Sequence, residues 1–255
     1  LDAWRVAFRP ETRMCFLETP ANPTLDVVDI AGVSALAKAA GAFVVVDNVF
    51  ATPLLQRPLE LGADIVAYSA TKHIDGQGRV LGGAILGEKD FIDGPVQKLM
   101  RHTGPAISAF NAWTLLKGLE TLAVRVDYSN RSAQRVAEFL EGQRGVNWVK
   151  YPFLPSHPQY DLATRQMSGG GTVVTFALDG GKQRAFEVLD RLRVVDISNN
   201  LGDAKSLITH PATTTHRAMG PEGRAAIGLG DGVVRISVGL EGTEDLLADL
   251  DQALG

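Results

Sequence analysis

The sequence predicts an α/β protein, with a mostly parallel sheet in its first half and a smaller α+β unit with a largely antiparallel sheet in its second. Three observations carry that prediction. A strand, a capped helix and a second strand follow one another between Arg13 and Asp47, the order of a βαβ unit. Another apolar run, Ala63–Ala67, reads as a short buried strand that stops on the hydroxyls of Ser69 and Thr71 with Lys72 beside them. From Val146 onward, short strands alternate with helices and polar turns.

The elements follow in order. The chain opens on an amphipathic piece, LDAWRVAFRPETRM. Arg13–Glu18 is a short strand, and the TPANPTL that follows is broken by two prolines and Asn22, whose side chain is placed to close an Asx-type turn before Pro23. Asp29 caps a helix with apolar residues at Ile30, Val33, Leu36 and Ala37, and Gly41 ends it in the left-handed conformation. AFVVVDNVFATP is a strand delivering Asp47 and Asn48, and PLLQRPLELG connects it to the strand that delivers Tyr68, Ser69 and Thr71. Gly82–Gly87 reads as a further strand. Lys89 to Gln143 is largely helical, interrupted at HTGPAIS by Gly104 and Pro105. Later strands are expected at Val146–Val149, Thr172–Leu178, Val195–Ser198 and Val233–Val238, with helices at Lys182–Leu192 and Glu244–Leu254. A division near Thr121 gives a unit over residues 1–121 and a small one over 122–255.

Bulk properties narrow the function. At 255 residues the chain can bury a sizeable core. A formal charge of -4 and the lack of a basic run interleaved with aromatics argue against a nucleic-acid partner. Cys15 is the single cysteine, so no disulfide framework exists within the chain, which suits a reducing cytosol. No stretch is long and apolar enough to span a membrane. His210 and His216 match no common zinc spacing and read as structural residues or as residues near a substrate channel, and no metal is expected. Gly76, Gly78 and Gly82 miss the dinucleotide fingerprint.

The chemistry centres on Lys72. A lysine at the mouth of a buried strand, among small residues, must be paired or reactive, because burying an unpaired ammonium lowers its pKa and leaves a nucleophilic amine. The plainer alternative is a lysine starting a surface helix. Asp47, taken alone, reads as an acid capping the next turn. Together, an acid on one strand end and a lysine on another suggest pyridoxal phosphate, with Lys72 forming the Schiff base, Asp47 keeping the ring nitrogen protonated, and Ser69 and Thr71 on the phosphate. The glycines of Gly82–Gly87 would leave room for a bulky ring. Arg235 sits mid-strand among apolar residues, where a guanidinium must find a partner.

Five motifs carry a resemblance over nearly the whole chain, in the same order: ETPANPT (18–24), VVVDNVFATP (44–53), GADIVAYSATKHIDGQGRVLGG (62–83), ITHPATTTH (208–216) and VRISVGLE (234–241). They resemble the Cys/Met-metabolism family of pyridoxal-phosphate enzymes, which implies fold type I, the aspartate-aminotransferase-like arrangement. KHIDGQGR and NNLGDAKSLITHPATTTH look most like the branch that makes homocysteine from an O-acylated homoserine and sulfide. The same residues would serve a cystathionine γ-synthase or a methionine γ-lyase, and a chain of this fold without activity would be a scaffold.

The resemblance further implies that Asn22 contacts the cofactor ring near its phenolic oxygen. It makes Arg235 the clamp for the substrate α-carboxylate, against the alternative of an internal ion pair. Asn200 stands where related lyases often carry serine, and the backbone beside it would help hold that carboxylate. The long helix after Ser108 would bridge two domains. Against the family's order of motifs, roughly the first third has no counterpart here. A longer functional polypeptide is therefore expected, a homodimer or homotetramer with shared active sites, in which that third and a neighbouring subunit also hold the phosphate.

Overall fold

A computed structural model describes residues Leu1–Gly255. It contains two sheets joined by one long helix. Helix α1 (Asp2–Ala7) precedes β1 (Met14–Glu18), α2 (Ile30–Ala39) and β2 (Phe43–Asp47), and β1 and β2 pair in parallel with Glu18 opposite Asp47. The expected cap is present: Asp29 Oδ1 accepts from Gly32 N at 2.8 Å, and Gly41 adopts φ +69°. The short α3 (Thr52–Leu55) leads to β3 (Ile65–Ser69), parallel to β2, and β4 (Gly83–Gly87) runs antiparallel at the edge, giving the order β1-β2-β3-β4.

The third strand starts and ends two residues later than the apolar run Ala63–Ala67 suggests. Asp64 explains the late start, since its carboxylate accepts from Val44 N at 2.7 Å and holds the entry of the strand against β2. Side chains alternate across the sheet, so Cys15, Leu17, Val44 and Val46 pack on Ile30, Val33 and Ala37 of α2. On the opposite face Met14, Phe16 and Phe43 are exposed.

The helical stretch after β4 comprises α4 (Lys89–Phe91), a π turn containing Pro95, and α5 (Gln97–Thr103), which ends on Gly104 at φ +78°. A proline cannot donate to the ladder and crowds the preceding carbonyl, which accounts for the widened turn. Ser108 then caps α6 (Ala109–Glu141), 33 residues and about 50 Å long, accepting from Asn111 N at 3.1 Å. Its buried stripe runs Thr114, Leu115, Gly118, Leu122, Arg125, Val126, Ser129, Ala133, Val136 and Leu140, a helical period in which one arginine takes an inward position. Thr121 lies inside this unbroken helix.

The second sheet has the order β5-β6-β9-β8-β7. It comprises β5 (Val146–Lys150), β6 (Val173–Leu178), the two-residue β7 (Asp196–Ile197), β8 (Leu207–Thr209) and β9 (Val233–Ser237), and is antiparallel except between β7 and β8. Helices α7 (Tyr160–Gln166), α8 (Gly181–Arg191), α9 (Gly220–Ala226) and α10 (Thr243–Leu254) lie between and after these strands. Every residue of β6 and β9 is buried. The strand expected over Val195–Ser198 shrinks to two residues, while β8 and α7 had no clear signature in the sequence. No helix is long and apolar enough to cross a membrane.

Candidate active site

Strand ends build the site. Because β1, β2 and β3 are parallel and in register, their carboxyl ends bring Glu18, Asp47 and Ser69 to one edge of the sheet. The backbone then makes a hydrogen-bonded turn, with Lys72 N donating to Ser69 O at 3.2 Å and Gly76 N to Lys72 O at 2.8 Å. Lys72 is half-buried at the start of that turn. Its Nζ donates to Asn200 Oδ1, so its partner is an amide oxygen and not a carboxylate. Burial lowers the pKa of Lys72, and the positive charge of Arg235 lowers it further.

Asp47 is half-buried, and Oδ1 accepts from Val49 N at 3.1 Å. Burial raises its pKa above the usual carboxylate range, with that one N–H opposing the shift and no cation beside it. Arg235, on β9, is 1% exposed. It donates from Nη1 to Asn22 Oδ1 at 2.8 Å and from Nη2 to the carbonyls of Asn199 at 2.9 Å and Asn200 at 3.2 Å, while its Nε has no partner. Burial lowers its pKa to about 10, which leaves it charged at neutral pH, and Glu18 is the acid whose charge opposes that shift.

Two readings of the sequence alone are thereby replaced. Asn22 spends its side-chain oxygen on Arg235, not on an Asx turn, and Arg235 forms no ion pair. Thr71 is engaged within the fold: its Oγ1 accepts from Gly82 N at 3.1 Å, pinning the turn to the start of β4. Ser69 stands at the strand end itself. Asn48 is structural, since its amide donates to the Thr52 and Gln56 carbonyls and to the Tyr68 hydroxyl.

The structure therefore gathers Asn22, Lys72, Asn200 and Arg235 through direct contacts, beside the strand ends that carry Asp47 and Ser69. It adds Glu18. Glu18 Oε2 accepts from Asn22 N at 3.0 Å, and burial raises the Glu18 pKa, with the neighbouring charge of Asp47 adding to the rise. The signal was available, because Glu18 ends β1 as Asp47 ends β2. His216 approaches the Asn22 backbone and the Arg235 charge, and burial lowers its pKa.

A family model described as Cys/Met metabolism PLP-dependent enzyme matches residues 1–255. The O-succinylhomoserine sulfhydrylase of Mycobacterium tuberculosis strain H37Rv is 74% identical over 258 residues, an alignment covering 100% of this chain and 64% of that protein. The L-methionine gamma-lyase of Pseudomonas putida is 46% identical over 100% of this chain and 64% of its own length. Among solved structures, metB from Corynebacterium glutamicum superposes with a TM-score of 0.95 at 37% identity, covering 99% of this chain and 65% of that one. The chain thus spans a little under two thirds of the length of these relatives.

Proposed function

The chain belongs to the PLP-dependent enzymes of Cys/Met metabolism and has their fold-type I α/β architecture, and from that premise we propose that it serves an O-succinylhomoserine sulfhydrylase. The reaction exchanges the γ-substituent of an O-acylated homoserine: the bond from Cγ to the acyl oxygen breaks, a bond from Cγ to sulfur forms, and succinate leaves as homocysteine is made. The observation that carries this reading is Lys72, an amine lowered in pKa and held by an amide where a structural lysine would have a carboxylate.

The donor set suits pyridoxal phosphate. A half-buried acid without a cation and a buried guanidinium with a free Nε are both unfinished pairings, which cost stability until a ligand completes them. When bound, the cofactor supplies an electron sink for charge developing on the substrate carbons. In this reading Lys72 would hold the cofactor, and its amine would carry protons between the α and β carbons of the substrate. Asn200 keeps Nζ in place. Asp47 holds the proton on the ring nitrogen, Asn22 orients the ring, and Ser69 with Thr71 serves the phosphate. Arg235 grips the substrate α-carboxylate through its unpaired Nε edge.

The 74% identity to a sulfhydrylase, against 46% to a methionine γ-lyase, favours γ-replacement over elimination. We place the division between the cofactor-binding unit and the small unit near Thr121, the location in the cytoplasm, and the assembly as a homodimer or homotetramer. Phe110, Trp113 and Leu116 support an assembly, since they leave an apolar stripe exposed along the first half of α6.

Assay of the full-length enzyme with O-succinylhomoserine, O-acetylhomoserine, cysteine and methionine tests the assignment. Sulfide-dependent homocysteine formation from O-succinylhomoserine is expected to dominate. Methionine cleavage exceeding it would transfer the assignment to the γ-lyases.

A further inference from the structure

The turn that carries Lys72 is gripped from two sides by residues that have no place in the chemistry above. Within this turn the His73 and Ile74 carbonyls have no backbone donors of their own. On one side α6 provides them. Arg125, 9% exposed, donates from Nη1 to His73 O at 2.8 Å and from Nη2 to Ile74 O at 3.4 Å. The same guanidinium is tied to its own helix, with Nη2 on Gly118 O at 2.8 Å and Nε on Thr121 Oγ1 at 3.1 Å. On the other side, the loop that holds Asn200 reaches back through Ala204 N, which donates to Gly76 O at 2.7 Å.

Two glycines make the approach possible. A Cβ on Gly118 would collide with the Ile74 carbonyl, and one on Gly76, itself at φ +70°, would collide with the Arg125 guanidinium. No carboxylate touches Arg125, and the opposing charges of Asp75 and Asp203 act only at a distance. A buried arginine spent on neutral carbonyls instead of an acid is costly unless those carbonyls must be fixed.

We propose that Arg125 is a positioning residue for Lys72, its guanidinium locking the His73 and Ile74 carbonyls to α6 and so fixing the turn from which Lys72 Nζ reaches Asn200. The proposal rests on the assignment of Lys72 above. Lysine cannot replace Arg125, since a single ammonium on a flexible stem cannot span His73, Ile74 and Gly118 together.

The test uses the full-length enzyme and R125K, with Gly118→Ala as a second variant that pushes on the same carbonyl without altering charge. Three readouts are compared: amide hydrogen exchange of residues 70–76 in the cofactor-free enzyme, the pH midpoint of the visible cofactor band, and kcat and KM separately. Faster exchange confined to the turn, a shifted midpoint, and kcat reduced about 10- to 100-fold with KM little changed are expected, the loss that about 1 Å of misplacement causes. A folded R125K with wild-type values in all three overturns the proposal. If R125K does not fold, wild-type values in Gly118→Ala overturn it. Borohydride labelling separates the two layers: a label on another lysine in the unmutated enzyme sinks the assignment of Lys72, whereas a label on Lys72 with unchanged variants sinks only the role of Arg125.

Discussion

The sheet that carries Asp47 and Lys72 is less well covered than the sheet that carries Arg235. Around β5–β9 a cluster of 22 buried residues joins α6, α8 and α10, whereas the cluster between β1, β2 and α2 holds 9. Strands β6 and β9 are buried throughout, while β1 and β4 leave Phe16 59% and Ile85 52% exposed. The difference shows where the rigidity of the site comes from. The strand ends of the first sheet carry the candidate site residues, and the second half of the chain supplies contacts to the segments around them: Asn200 on Lys72, Thr172 on the His73 ring at 2.8 Å, and Thr175 on the Pro23 carbonyl at 2.6 Å. The proposed chemistry sits at that seam.

The comparison can be broken most severely at Lys72. Lys72→Ala is expected to lower turnover by several orders of magnitude and to abolish borohydride labelling, because a covalent mechanism loses its nucleophile. Next in size is a matched pair of phenylalanines. Phe176→Ala, in the fully buried strand of the second sheet, is expected to cost about 3–5 kcal/mol in denaturant unfolding. Phe16→Ala, on the exposed face of the first, should cost under about 1 kcal/mol in the 255-residue chain. Equal losses would show the two sheets to be equally well packed. A larger Phe16 loss in a longer polypeptide would show that face to be covered there.

Arg235→Ala is expected to lose about 2–5 kcal/mol in kcat/KM for amino-acid substrates, with cofactor retention less affected. Unchanged kcat/KM would return Arg235 to a purely structural role. A pH-dependent effect concerns His73, whose ring bonds Thr172 from the second half of the chain. Burial lowers its pKa to about 4, with the charge of Arg125 adding to the shift. The folded state therefore favours the neutral ring: the stabilisation is complete above about pH 6.5, and acid removes it progressively down to about pH 4. Roughly 3 kcal/mol is lost over that window. A His73→Gln variant should lack this component of the acid slope in urea titrations. An unchanged slope would place the acid sensitivity elsewhere.

Much of this was legible wherever the cause is local. Asp29 and Gly41 bound a helix by cap chemistry that is written within twelve residues, and the strands of the first sheet are continuous apolar runs. The placement of Asp47 at the end of β2 and of Lys72 just after β3 was legible because an apolar run precedes each of them. What was not legible depends on distant partners. The helix Tyr160–Gln166 is only seven residues long, and β8 has three; such lengths leave no periodicity to read. Whether Asn22 would close a local turn or turn to Arg235, 213 positions away, is decided by the second sheet arriving beside it. Arg125 occupied an inward position in the α6 period, but the carbonyls it serves lie about fifty residues earlier.

The place of β9 within its sheet has a consequence for the order in which the molecule is made. It lies at the centre, between β6 and β8, yet it follows all the other strands of residues 1–255 in chain order. Until Val233–Ser237 emerge, β6 and β8 present open edges to each other and to any other chain nearby, the condition under which growing polypeptides are most prone to mispair. The carbonyls of Asn199 and Asn200 wait on the same strand, because the guanidinium that holds them is Arg235. The loop that holds Lys72 Nζ through Asn200 is therefore pinned only once β9 has joined its sheet.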